Sequence, residues 1–164
     1  MCERSWQEPT VLPILSLDSS RSAQYSPYGA YTSYTYGFTG TPPWTTTATT
    51  NGRWVKTTLD GFGRTIKTET GDAGGTKSVV DTEYAPCAGS PMGKLKRVSQ
   101  PHVVGGTVYY WTTYTYDARG RTASVVAADG ASTTTYVYST TNDSVTVTDA
   151  AGKTKTMDAL WNLT

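Results

Sequence analysis

His102, Cys2 and Cys87 are the whole supply of imidazole and thiol in this chain of 164 residues, so any His-centred or thiolate chemistry must rest on them. A Cys87–His102 pair would need the imidazole within hydrogen-bond reach of the sulfur. Their surroundings, Ala85-Pro86-Cys87-Ala88-Gly89 and Pro101-His102-Val103-Val104-Gly105-Gly106, read as two loops without a residue to activate a thiol. The expectation is a solvent-facing loop imidazole and two unrelated thiols. Structural zinc takes four Cys or His ligands, one more than these three supply. Asp143, Asp149 and Asp158 lack the spacing of a calcium loop. Most aspartates stand where turns want them, so no carboxylate pair is marked for glycoside hydrolysis. The glycines fall between strands with no helix following, unlike a phosphate-binding loop. No cofactor and no metal are expected, and the chain reads as non-enzymatic.

The aromatics offer a different chemistry. Tyr109, Tyr110, Trp111, Tyr114 and Tyr116 crowd one stretch and would stack sugar rings if they shared an exposed sheet surface. A carbohydrate-binding or adhesion module built on Trp111, Tyr114 and Tyr116 is therefore the alternative function. The competing reading, and the preferred one, is that these rings fill a packed face.

What must position these side chains is announced by a recurring phrase: a small polar residue, two variable ones, glycine, then a base. It reads Asp60-Gly61-Phe62-Gly63-Arg64, Ser90-Pro91-Met92-Gly93-Lys94, Asp117-Ala118-Arg119-Gly120-Arg121 and Asp149-Ala150-Ala151-Gly152-Lys153, with starts 30, 27 and 32 residues apart. Asp or Ser opens a type I turn because its side-chain oxygen accepts backbone N–H groups further on. Glycine in fourth place supplies the left-handed conformation of a bulge that closes a hairpin. Each phrase is read as a hairpin tip, and the spacing as an internal repeat.

Thr occurs 32 times beside 12 Tyr and 16 Gly, a strand-and-turn vocabulary. No long stretch has helical periodicity, so the fold class is all-β. Fourteen basic and 13 acidic residues are interspersed, which leaves no basic stripe for nucleic acid. No apolar run is long enough for a membrane helix. Val11–Leu17 is too short, and too interrupted by Pro13, to read as a clear signal peptide.

Residues 1–30 look irregular, including a tyrosine-rich loop through Tyr25 and Tyr28. From residue 31 to 164 strands are expected at 31–39, 45–50, 53–59, 65–70, 77–84, 95–100, 107–116, 122–127, 131–139, 144–149 and 153–157. Asn51-Gly52 is the strongest hairpin signal among them. Alternation puts Tyr34 with Tyr36, Tyr114 with Tyr116, Tyr136 with Tyr138, and Val145 with Val147, each pair on one face. The other face is rich in Thr. Asp158–Leu163 looks like a further unit cut short, so the chain is expected to be part of a longer array whose open strand edges associate.

Tyr114-Thr115-Tyr116-Asp117-Ala118-Arg119-Gly120-Arg121, followed by Asp129-Gly130, resembles the YD repeat of bacterial Rhs proteins, toxin-complex shells and teneurins. The other copies depart from it: Leu59 replaces Tyr, Ser90 and Lys94 replace Asp and Arg, and Thr148 and Lys153 replace Tyr and Arg. The resemblance covers about residues 45–164. It implies a segment of a β-spiral shell that encloses a carboxy-terminal toxin or effector, at a secreted or cell-surface location. The partners it implies are neighbouring repeats and the enclosed effector. Asp60, Gly63, Arg64, Ser90, Gly93, Lys94, Asp117, Gly120, Arg121, Asp149, Gly152 and Lys153 carry over as turn formers only.

Overall fold

The computed structural model describes residues 23–25, 31–38, 40–87, 90–108, 110–141 and 143–158. Cys2, the apolar run 11–17 and the unit expected after Asp158 lie outside these residues. Among these described residues twelve strands form: β1 (Ala23–Tyr25), β2 (Tyr31–Gly37), β3 (Trp44–Thr50), β4 (Arg53–Leu59), β5 (Thr65–Asp72), β6 (Gly75–Cys87), β7 (Ser90–Ser99), β8 (Trp111–Tyr116), β9 (Thr122–Val126), β10 (Thr133–Tyr138), β11 (Ser144–Thr148) and β12 (Thr154–Asp158). They make one antiparallel sheet whose spatial order is the chain order. The described residues contain no helix. The fold is all-β and built of consecutive hairpins, as the turn chemistry requires.

Asn51-Gly52 closes β3 onto β4 in two residues, with both φ angles positive at 50° and 77°. That is the backbone a two-residue hairpin needs, and Asn and Gly adopt it at least cost. Several expected bounds move. Ala23–Tyr25, inside the stretch read as irregular, pairs with β2. β6 runs to Cys87 through the piece read as a loop, and β7 begins at Ser90.

The register fixes two faces, because directly paired residues share a side of the sheet. Tyr34 lies opposite Ala48, Ala48 opposite Val55, Tyr84 opposite Leu95, Tyr114 opposite Val125, Tyr136 opposite Val147 and Tyr138 opposite Val145. These define a tyrosine face. Lys56 lies opposite Glu69, Lys67 opposite Asp81 and Glu83 opposite Arg97, with ion-pair distances of 3.6, 3.9 and 2.7 Å. They mark the opposite, charged face.

The sheet is a single layer. Val79 is the one buried hydrophobic residue among the described residues, and the paired tyrosines Tyr34, Tyr84, Tyr114, Tyr136 and Tyr138 are half-buried. Ser99 is the buried polar counterpart; its Oγ accepts the Asp81 N–H at 2.8 Å. Such a layer is held by ladders and cross-strand side-chain pairs rather than by a central core.

Candidate functional site

Asp60, Asp117 and Asp149 organise their turns in one way. Each backbone oxygen accepts the N–H of the glycine three residues on, at 2.9 Å in all three turns. Each Oδ1 accepts the N–H groups two and four residues on, at 2.8–2.9 Å. Gly63, Gly120 and Gly152 have φ of 75°, 75° and 78°, the left-handed region that an L side chain enters at a cost of about 1–2 kcal/mol. These are type I turns closed by a glycine.

The Ser90 phrase departs from this scheme. Cys87 pairs with Ser90, so the chain reverses before the phrase, which lies on β7. Yet Gly93 has φ 75° and Lys94 pairs with Ala85, where Arg64 and Arg121 pair with Asp60 and Asp117. Ala85 therefore holds the place of the aspartate, and the hairpin has an expanded tip beyond it that includes the Cys87↔Ser90 pair. One more feature unites these three units. Just past each base the ladder skips one residue: Ile66 between Leu59↔Thr65 and Thr58↔Lys67, Lys96 between Tyr84↔Leu95 and Glu83↔Arg97, and Ala123 between Tyr116↔Thr122 and Thr115↔Ser124. β11 and β12 pair without such a shift after Lys153.

The three bases then meet tyrosines on the next strand. Arg64 stacks on Tyr84 at 4.2 Å, Lys94 stands over Tyr116 at 5.3 Å, and Arg121 stacks on Tyr138 at 4.0 Å. The cause is register. Counting outward from Lys67↔Asp81, Arg97↔Thr113 and Val126↔Thr133 brings each base directly opposite its tyrosine. The bases are thus more than turn formers: they tie each two-strand unit to the following one through a cation–π contact. The signal in the sequence was the tyrosine immediately before a turn, as in Tyr84-Ala85, Tyr116-Asp117 and Tyr138-Ser139, which receives the preceding unit's base.

The fourth phrase is out of step. Strands alternate in direction, so the turns at Asp60, after Cys87 and at Asp117 share one end of the sheet, while Asp149 lies at the other. The in-step position is the turn after Tyr138, where the Ser139 N–H donates to the Ser144 carbonyl at 2.9 Å. No base follows it there.

Electrostatics reinforce the turns. Partial burial pushes the Asp60 carboxyl up, but the Arg64 guanidinium and the N–H donors of Arg64 and Phe62 outweigh it and hold the group below its ordinary value. The Arg121 N–H is the main cause that lowers Asp117, joined by the Arg121 side chain at 2.8 and 2.7 Å. Ser132 lowers Asp129 in the turn between β9 and β10. Burial raises Tyr116, with Tyr114 and Cys87 adding to it; its hydroxyl donates to the Leu95 carbonyl at 2.7 Å.

Trp111, Tyr114 and Tyr116 do not form one platform. Alternation along β8 puts Trp111 on the charged face and the two tyrosines on the other. Arg97, held by Glu83 through two bonds of 2.7 and 2.8 Å, covers the Trp111 ring at 4.1 Å. A shallow cavity of about 190 Å³ between Cys87, Lys94, Lys96, Tyr114 and Tyr116 is open to solvent.

His102 is not a solvent-facing loop residue. Its backbone exchanges two hydrogen bonds with Val79, at 2.8 and 2.9 Å, and its Nε2 meets Asp81 Oδ2 at 2.9 Å. The side chain is 15% exposed. The segment after β7 thus continues the β6–β7 ladder, one residue out of register, and sets the imidazole beside Asp81 on the charged face. His102 and Cys87 are far apart, since His102 is bridged to Val79, and Cys87 lies eight residue steps further along β6, about 26 Å. Among the described residues no three His, Cys, Asp or Glu side chains gather as a metal site, and no helix is long and apolar enough to cross a membrane. No protein-family profile matches the chain, and no curated protein does.

Proposed function

We propose that the chain is a non-enzymatic wall segment of an Rhs/YD-repeat shell, whose task in the full-length protein is to enclose a carboxy-terminal toxin or effector. The observation that carries this reading is the cation–tyrosine tie repeated at Arg64–Tyr84, Lys94–Tyr116 and Arg121–Tyr138. It links consecutive two-strand units on one face and at one end, in a sheet whose strands follow chain order. A wall needs this arrangement, because every unit must bind the next and none needs a private core. The half-covered tyrosine face and the ion-paired face give the wall two chemically different surfaces. Their turn residues act by holding register, and the location that goes with such a shell is secreted or cell-surface.

Electron microscopy of the full-length gene product, combined with limited proteolysis, tests this. A hollow particle that protects a terminal polypeptide until it is opened supports the reading. A compact particle without a lumen, or a terminal segment cleaved as fast as a linker, overturns it.

A further inference from the structure

Lys94 differs from its two counterparts in what answers its charge. Arg64 and Arg121 are each held by the carboxylate that opens their turn, Asp60 and Asp117, at 2.6 and 2.7 Å. Lys94 pairs with Ala85, which brings a methyl group where those turns bring a carboxylate. Residues 86–93, between the two, contain no acid. Asp117, next to the tyrosine that Lys94 stands over, is taken up by Arg121. Lys94 is half-buried, and among the described residues it forms no ion pair; its ammonium stands over the Tyr116 ring at 5.3 Å.

The residue that the ladder skips just past each base marks a second departure. It is Ile66 in the first unit, Ala123 in the third and Lys96 in the second. Lys96 reaches Glu83 at 3.7 Å, but Arg97 already grips Glu83 through bonds of 2.7 and 2.8 Å, so one carboxylate answers two cations. Relative to its sisters this unit lacks a negative charge at position 85 and carries an extra positive one at position 96. Both positions line the open cavity of about 190 Å³, together with Pro86, Lys94, Tyr114 and Tyr116. The Tyr116 hydroxyl is engaged by the Leu95 carbonyl, so its ring offers the cavity apolar surface.

We propose that this cavity is a binding site for a small organic carboxylate, held by Lys94 and Lys96 in the place that Asp60 and Asp117 fill in the sister units. The bound carboxylate gives Lys94 the partner that Arg64 and Arg121 find within their own turns. Its apolar body lies against Pro86, Tyr114 and Tyr116. A lysine ammonium acts as a point charge without the fork of an arginine, so it accepts a carboxylate from several directions. A free acid and an acidic side chain of a peptide present the same group to it, and the test separates the two sources. The proposal stands on the comparison of the three units and holds whether or not the chain belongs to a shell.

The test titrates the 164-residue protein with sodium benzoate and, separately, with N-acetyl-aspartate amide, at low salt where exposed charges are least screened. Residue-resolved amide shifts are the readout. Saturable shifts should centre on Ala85, Lys94, Lys96 and Tyr116, and neutral benzamide should produce none. Tighter binding of benzoate supports the site with a free acid as its source, and tighter binding of the blocked aspartate supports it with an acidic side chain. Lys94→Gln and Lys96→Ile should each weaken binding about two- to five-fold. Ala85→Asp restores the carboxylate of the sister turns and should abolish binding. No saturable shift with either acid at about ten millimolar overturns the proposal. Undiminished affinity in Ala85→Asp, or benzamide binding as well as benzoate, also overturns it. If Ala85→Asp does not fold, undiminished affinity in the Lys94→Gln, Lys96→Ile double variant overturns it instead.

Discussion

Arg121 serves Asp117 and Tyr138 with different parts of one guanidinium. Its Nε and Nη2 hold the carboxylate at 2.8 and 2.7 Å, while its Cζ lies over the tyrosine ring, 4.0 Å from the centroid. A planar fork can bond along its edge and stack on its face together; an ammonium cannot. Arg64 repeats this between Asp60 and Tyr84, and also donates to the Met92 carbonyl in the expanded tip of the next unit.

Arg121→Lys should therefore lose more than a charge-conserving change usually does. A double-mutant cycle over Arg121→Ala and Tyr138→Ala is expected to give a coupling of about 0.5–1 kcal/mol by urea unfolding. Additive effects of the two changes would show that the stack contributes nothing.

Glycines with the same φ should differ in cost. An alanine Cβ at Gly93 would come within 2.8 Å of the Ala85 carbonyl, whereas at Gly63 and Gly152 nothing lies within 4 Å. Gly63→Ala and Gly152→Ala should each cost about 1–2 kcal/mol from the left-handed backbone alone. Gly93→Ala should cost clearly more, since backbone must move. Equal denaturation midpoints for the three would contradict this.

Acid should loosen the turns before it loosens the ladders. Asp60, Asp117 and Asp129 are held below their ordinary value of 3.8, and Glu83, mainly by Arg97, below 4.5. A depressed carboxyl stabilises the fold fully above its unfolded value and ceases to do so as pH falls through the lower folded one. Stability measured by urea midpoint should be level above those ordinary values with respect to these four groups, then decline below them. The Asp60→Asn, Asp117→Asn double variant should start lower and show a shallower acid decline. An unchanged slope would remove these carboxylates from the account.

His102→Ala should free the loop after β7 without disturbing the far strands. Exchange should accelerate at the Val79 and His102 amides, which depend on each other's carbonyls. Amides of β10 and β11 should keep their protection. Global acceleration would mean that the loop contact supports the whole sheet.

Much of the fold was legible because its determinants are local. Asn51-Gly52 and the aspartates at 60, 117 and 149 act within five residues, and strand alternation sorted Tyr114 with Tyr116 correctly. The failures are non-local. His102 finds Asp81 across 21 residues, which no local pattern encodes. Ser90 resembled the other turn openers, but the partner that matters, Ala85, has only a methyl side chain and no polar atom to announce its role. The step of 32 residues to Asp149 looked like the others, although it contains three strands rather than two. The base–tyrosine ties needed the register of both strands before their opposition could be seen.

Strict chain-order neighbours mean that this molecule counts in pairs. Inserting or deleting a whole hairpin returns every later strand to its former direction, so its turns stay at the same end. Inserting one strand exchanges the two ends for everything downstream. The displaced Asp149 phrase has the placement such an odd step produces. Length is thus easily varied in this architecture, and parity is what it must conserve.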